Sequence, residues 1–147
     1  MYARGTRQHA IFADDLDRLR YLEFLHGATR KYRWNVLAFC LMTNHVHLLL
    51  ETPNPNLGAG MQWLQGKHAM TFNERHGFVG HVFQSRYGAK RVKDDVHLVT
   101  ALRYVENNPL EAGLEEWPWS SAAVAPSWLA TERLGALLRN DDFSRAS

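Results

Sequence analysis

His45 and His47 stand one residue apart inside the apolar run Leu41-Met42-Thr43-Asn44-His45-Val46-His47-Leu48-Leu49-Leu50-Glu51. The run is short, rich in branched aliphatics and preceded by a turn-like Thr-Asn, so it reads as a strand. Side chains of a strand alternate faces, which puts His45, His47, Leu49 and Glu51 on one side and Val46, Leu48 and Leu50 on the other. Two imidazoles about 7 Å apart on a rigid strand can share one metal ion. The bland alternative is one partly buried histidine beside one hydrogen-bonded histidine.

A second chemically suggestive element begins about fifty residues later, at Asp94-Asp95 and running to Pro109. The aspartates suit a helix N-cap and the proline suits a stop, so the interval predicts one helix of three to four turns. At about 100° per residue, Leu98, Leu102 and Val105 form its apolar stripe. Tyr104 and Asn108 lie one turn apart on a different face, with His97 near the same line. A tyrosine with an amide one turn later, away from the core stripe, offers a nucleophile beside a metal ligand. Without a partner element, the same pair is a boundary tyrosine and an Asn near a helix end.

The elements that must position these groups follow from the pattern of the rest. Residues near Tyr2–Gly5 predict a short strand, and 14–32 a helix with Leu19, Leu22, Phe24 and Leu25 among its buried positions. Residues 34–41 form a strand so apolar that both its faces should be covered. A turn at Met42-Thr43-Asn44 then reverses the chain into the histidine strand, and Thr52-Pro53-Asn54-Pro55-Asn56 breaks it. Residues 57–76 predict a helix with Met61, Leu64, Ala69 and Phe72 to pack, weakened by Gly58, Gly60 and Gly66. Gly80 to Val92 reads as a further strand, 94–109 as the tyrosine helix, and 131–139 as a final amphipathic helix. The class is α+β, an antiparallel sheet with helices packed against it.

At 147 residues and 46% hydrophobic, the chain is long enough for one domain with a real core. The single cysteine, Cys40, excludes an internal disulfide and reads as core filler. No segment approaches a membrane span and Met1 through Arg7 lack a signal-peptide core, so a cytoplasmic location is expected. Net charge is only +2, yet residues 1–93 hold 13 basic against 6 acidic residues and residues 94–147 hold 4 against 9. Basic residues gather in 4–33 and 86–93, as a phosphate-binding surface requires. An ordinary solvated face is the alternative.

Together these residues resemble a known family. His45-Val46-His47 looks like the histidine–hydrophobic–histidine (HUH) motif of single-tyrosine transposases, and Tyr104 falls where that family carries its nucleophile. The nearer resemblance is to the REP-associated tyrosine transposases, relatives of the transposases of the smallest insertion sequences. The blocks that carry it are Arg4-Gly5 with Ile11-Phe12, Cys40 through His47, and Gly80-His81-Val82-Phe83-Gln84-Ser85-Arg86-Tyr87. Further on come Arg103 through Pro109 with Ala112-Gly113-Leu114, and Trp117-Pro118-Trp119-Ser120-Ser121. Members usually have a longer strand before the Arg-Gly, often an arginine where this chain has Glu111, and a basic residue where Gly88 stands.

The resemblance implies an HUH, ferredoxin-like domain over residues 1–121, with 122–147 as a C-terminal extension packed on or trailing it. It implies metal-assisted transesterification, with Tyr104 forming a 5′-phosphotyrosine and freeing a 3′-hydroxyl. The metal would rest on His45, His47 and Asn108, the last because related transposases place a polar ligand one turn beyond the tyrosine. With no thiolates available, Mg²⁺ or Mn²⁺ is expected. Free tyrosine has a pKa near 10, so only about one in a thousand is ionised at neutral pH; the metal, or His97 as base, must assist. Arg86, Tyr87, Lys90 and Arg91 are the expected contacts to single-stranded or hairpin DNA, with Tyr87 stacking on a base. Tyr2, Tyr21 and Tyr32 read as structural. A monomer or a homodimer is compatible with all of this. The rivals are a non-catalytic hairpin-binding protein and a His-x-His phosphoesterase, for which only Glu51 offers a nearby acid.

Overall fold

The computed structural model describes residues 2–4, 9–83, 87–114 and 116–139. Its elements run β1 (Tyr2–Arg4), α1 (Asp15–Tyr32), β2 (Asn35–Leu41), β3 (His45–Glu51), α2 (Leu57–His76), α3 (Asp95–Glu111) and α4 (Thr131–Arg139). The sheet is antiparallel in the order β1-β3-β2. This is the α+β arrangement expected.

The tight turn after Leu41 is closed by the Met42 N–H donating to the His45 carbonyl at 2.9 Å. Beyond it β3 alternates as its sequence dictates. Val46 and Leu48 enter one core with Val36, Phe39 and Leu41 of β2, where α1 and α2 pack. Leu49 enters a second core with Leu37, Ala38 and Cys40, covered by Leu98 and Val105 of α3 and Leu137 of α4. Both faces of β2 are therefore buried. A register shift between Val36 and Ala38 adds one residue to β2, a bulge that puts neighbouring Leu37 and Ala38 in the same core. Burial in this second core pushes the Cys40 thiol up to about 12, as befits core filler.

Helix α1 starts where the Asp14 carboxylate accepts from the Asp17 N–H at 3.1 Å. Arg33, in the left-handed region at φ 56°, ends it and turns the chain into β2. Its buried stripe is Tyr21, Leu25 and Ala28, extended by Asp17 and Arg18. Leu19, expected inside, is 50% exposed; it lies about 200° around the helix from Tyr21. Asp17 and Arg18 take the inward positions because both find partners. Asp17 accepts from the Ala13 N–H, Arg75 and His76. The Arg18 guanidinium lies over the rings of Phe12, Trp117 and Trp119.

Two expectations fail. The described residues of 80–92 form no strand. Residues 119–121, rather than this segment, run along the outer side of β2. There the Leu41 N–H donates to the Trp119 carbonyl at 2.8 Å and the Ser121 N–H to the Phe39 carbonyl at 2.9 Å. The segment instead anchors singly, through Val82 in the core and Phe83 against His68. Nor does Pro109 stop α3, which continues to Glu111. Proline forfeits one N–H but keeps a helical φ, and the Ala112 N–H still reaches the carbonyls of Asn108 and Pro109 at 3.2 Å. Asn108 therefore stays on the helix surface.

Residues 126–139 pack on the same body. Leu129 joins the first core, Leu137 the second, and the Ala130 N–H donates to the Val36 carbonyl at 2.9 Å. Among the described residues no helix is long and apolar enough to cross a membrane.

Candidate active site

The second core places the chemistry. Leu98 and Val105 fix α3 across β2 and β3, so the helix face one step around from Val105 meets the histidine end of β3. His45 and His47 approach edge to face, ring centroids 4.8 Å apart. Tyr104 meets the His47 ring at 5.2 Å and 84°. One turn on, the Asn108 Oδ1 lies 3.3 Å from the His45 Nε2. Two histidines, a tyrosine and an amide, from elements about fifty-five residues apart in sequence, thus share one site.

Burial differs within the group. His47 is buried, at 7% exposure, whereas Tyr104 is 52% exposed. The tyrosine ring is the more accessible of the two. Tyr21, by contrast, is fully buried and its phenol is pushed above the usual tyrosine range by desolvation. Tyr32 packs against Trp34 and Trp63.

Asn44 was read from sequence only as a turn residue, and the structure gives it more. Its Oδ1 lies 2.7 Å from the His45 Nδ1. A carboxamide oxygen only accepts, so Nδ1 donates in this contact, and Nε2 is the ring nitrogen that faces Asn108. An Asn directly before a strand histidine is the sequence signal that could have shown this. Across β1, Arg4 stands at the register position opposite His45.

His97 sits elsewhere: its Nδ1 accepts from the Lys93 N–H at 3.1 Å, and it lies two turns, about 10 Å, before Tyr104 on α3. Glu51 is held by Arg133, Nε to Oε1 at 2.9 Å and Nη2 to Oε2 at 2.9 Å, and by the Asn35 amide at 2.7 Å. Those bonds hold its carboxyl below the usual glutamate range against the opposing effect of partial burial. Among the described residues no three His, Cys, Asp or Glu side chains gather around one point.

The expected DNA contacts lie apart from this site. Lys90 and Arg91 line a groove with Leu50, Glu51 and Leu137 at the other end of β3. Tyr87 reaches the first turn of α2, near Gly58. Arg86 lies outside the described residues.

With this geometry in view, the comparisons with known proteins are decisive for the family. The profile of the family described as "Transposase IS200 like" matches residues 3–108. The chain belongs to the IS200-like transposase family. A Haemophilus influenzae protein carrying the name "Putative REP-associated tyrosine transposase" is 26% identical over an alignment of 106 residues, with 61% of this chain covered. This transposase-family chain spans about 60% of the length of that curated relative. A solved REP-associated tyrosine transposase, bound to a REP hairpin, superposes with a TM-score of 0.66 at 15% identity, covering 82% of this chain and 73% of that one. The two share a fold.

Proposed function

We propose that this transposase-family chain cuts and rejoins single-stranded or hairpin DNA, with Tyr104 as the nucleophile. The observation that carries the reading is the convergence of Tyr104 and Asn108, one turn apart on α3, upon His47 and His45. Tyr104 loses its phenolic proton and its oxygen bonds to phosphorus as the phosphorus–3′-oxygen bond breaks. The products are a 5′-phosphotyrosine and a 3′-hydroxyl, which takes up a proton. A 3′-hydroxyl arriving later reverses the step, so bond energy is conserved.

A divalent ion fits the donor set. The Nε2 of His45 and the Oδ1 of Asn108 stand 3.3 Å apart, close to the separation of about 3 Å between neighbouring ligands on an octahedral ion with bonds of about 2.1 Å. Imidazole, amide oxygen and the absence of thiolate suit Mg²⁺ or Mn²⁺. When bound, the ion neutralises charge on the phosphate oxygens and lowers the cost of ionising a nearby phenol. His45, His47 and Asn108 would hold it. The residues themselves orient the parts: Asn44 holds the His45 ring at Nδ1, and the His47 ring braces Tyr104 edge-on.

The DNA reading draws support from the solved relative's hairpin and from the basic bias before residue 94. Tyr87 stacks on an unpaired base and Lys90 and Arg91 meet phosphates. A body confined to the cytoplasm, acting as monomer or dimer, accommodates this chemistry. The test is to incubate purified protein with a 5′- or 3′-labelled hairpin carrying a single-stranded flank, with Mg²⁺, Mn²⁺ or chelator. A denaturation-resistant protein–DNA adduct should form only with metal and vanish in Tyr104→Phe while DNA binding persists. An adduct retained by that variant would move the nucleophile elsewhere, and binding without cleavage would favour the hairpin-binding rival.

A further inference from the structure

Helix α2 carries a glycine that packing does not explain. Gly60 is explained: a Cβ there would fall 2.0 Å from the Trp34 ring. Gly66 is not, for nothing lies within 4 Å of its would-be Cβ and its φ is ordinary. A mid-helix glycine costs helix stability, and here the missing side chain leaves the floor of a groove open. That groove, about 870 Å³, runs along the α2 face formed by Gly58, Gln62, Gln65 and Gly66, walled on the other side by Phe83 and Tyr87. Phe83 is fixed by the His68 ring at 6.0 Å, and Gly80 by the Asn73 amide at 3.0 Å. The Nε2 of Gln65 is buried and has no acceptor. A buried donor without a partner is costly, so the groove asks for a ligand that brings one.

Resting on the DNA-cleavage reading above, we propose that this groove holds one unpaired nucleobase, its face against Phe83 or Tyr87 and its edge accepting from Gln65. A base supplies what the groove lacks: a flat aromatic face for the rings and in-plane acceptors for an amide. Glutamine also pairs in two-point fashion with adenine. None of these six residues is acidic, and Lys67 and Lys90 flank them in sequence. The groove lies on the α1/α2 side of the sheet, opposite His45 and His47, so it reads DNA away from the phosphate that is cut.

The experiment is an abasic scan. A hairpin with a single-stranded flank is synthesised with one base removed at each unpaired position, and Kd is measured for the wild type, Gly66→Leu and Gln65→Leu. Gly66→Leu fills the groove while improving helix propensity, and its thermal melt checks folding. In the wild type one position should weaken binding about tenfold, the order set by one stacked base. Gly66→Leu should bind the intact hairpin about tenfold more weakly and lose its sensitivity at that position alone, and Gln65→Leu should blunt it. A folded Gly66→Leu that keeps wild-type affinity and the wild-type abasic profile overturns the pocket and leaves the cleavage reading standing. A wild type that binds no DNA overturns both.

Discussion

Four side chains from two elements meet at this site, and a fifth aligns one of them. Asn44 holds the His45 Nδ1 at 2.7 Å, which leaves Nε2 as the ring nitrogen that faces the Asn108 amide. Partners of this kind typically change metal affinity by about 10–100-fold. Asn44→Ala should therefore raise the Mn²⁺ concentration for half-maximal cleavage by about that factor while saturating metal restores much of the rate. His45→Ala or His47→Ala should remove metal-dependent cleavage outright, with Asn108→Ala falling between. A titration of initial cleavage rate against Mn²⁺ for the four variants checks the order. Equal metal dependence in wild type and Asn44→Ala would mean that Asn44 only closes the turn.

At the scale of the elements, an ionic clamp joins the start of α1 to the end of α2. Arg75 bridges Asp14 and Asp17, and His76 reaches the other Asp17 oxygen at 2.8 Å. Burial works against the Asp17 carboxylate, but the Ala13 N–H, Arg75 and His76 outweigh it and leave its pKa below the usual value. A depressed carboxyl pKa stabilises the fold above the unfolded value of about 4, and that contribution fades as pH falls through the lower folded value. Asp17→Asn should lose about 2 kcal/mol at pH 7. The deficit should shrink toward pH 3 and below, as urea unfolding at the two pH values would show. Local signals exposed most of these elements in the sequence. The apolar run of β2, the alternation of β3, and the bounds of α2 and α4 all read correctly, because each follows from periodicity and breakers within a few residues. So did the meeting of Tyr104, Asn108 and the histidines, through the family resemblance rather than through spacing. What could not be read was competition between distant segments. The Trp119–Ser121 stretch, not 80–92, bonds to the outer side of β2, and Asp17 and Arg18 displaced Leu19 from the core once Arg75 and the tryptophan rings were in place.

Across the whole molecule, charge and chemistry separate. Helices α3 and α4, which cover the sheet face that bears His45 and His47, belong to the half with 4 basic against 9 acidic residues, while α1 and α2 belong to the half with 13 against 6. On the proposed function, DNA would be drawn to parts of the surface other than the helix that bears Tyr104. Lys90 and Arg91 sit beside Glu51, six residues along β3 from His45, or about 20 Å at strand spacing. A substrate that touches both must span that length, which a hairpin stem with a flank of several nucleotides does and a mononucleotide does not. Each phosphate neutralised releases close to one counterion. The double variant Lys90→Ala, Arg91→Ala should flatten the slope of log Kd against log salt by about 1.5–2. Because those residues lie a strand's length from the tyrosine, the loss should fall on Kd, with single-turnover cleavage at saturating DNA changed far less. A salt titration of hairpin binding paired with saturating cleavage kinetics separates the two effects. An unchanged slope, or a cleavage rate that falls as far as affinity does, would place the phosphate contacts elsewhere or bring them to the scissile bond itself.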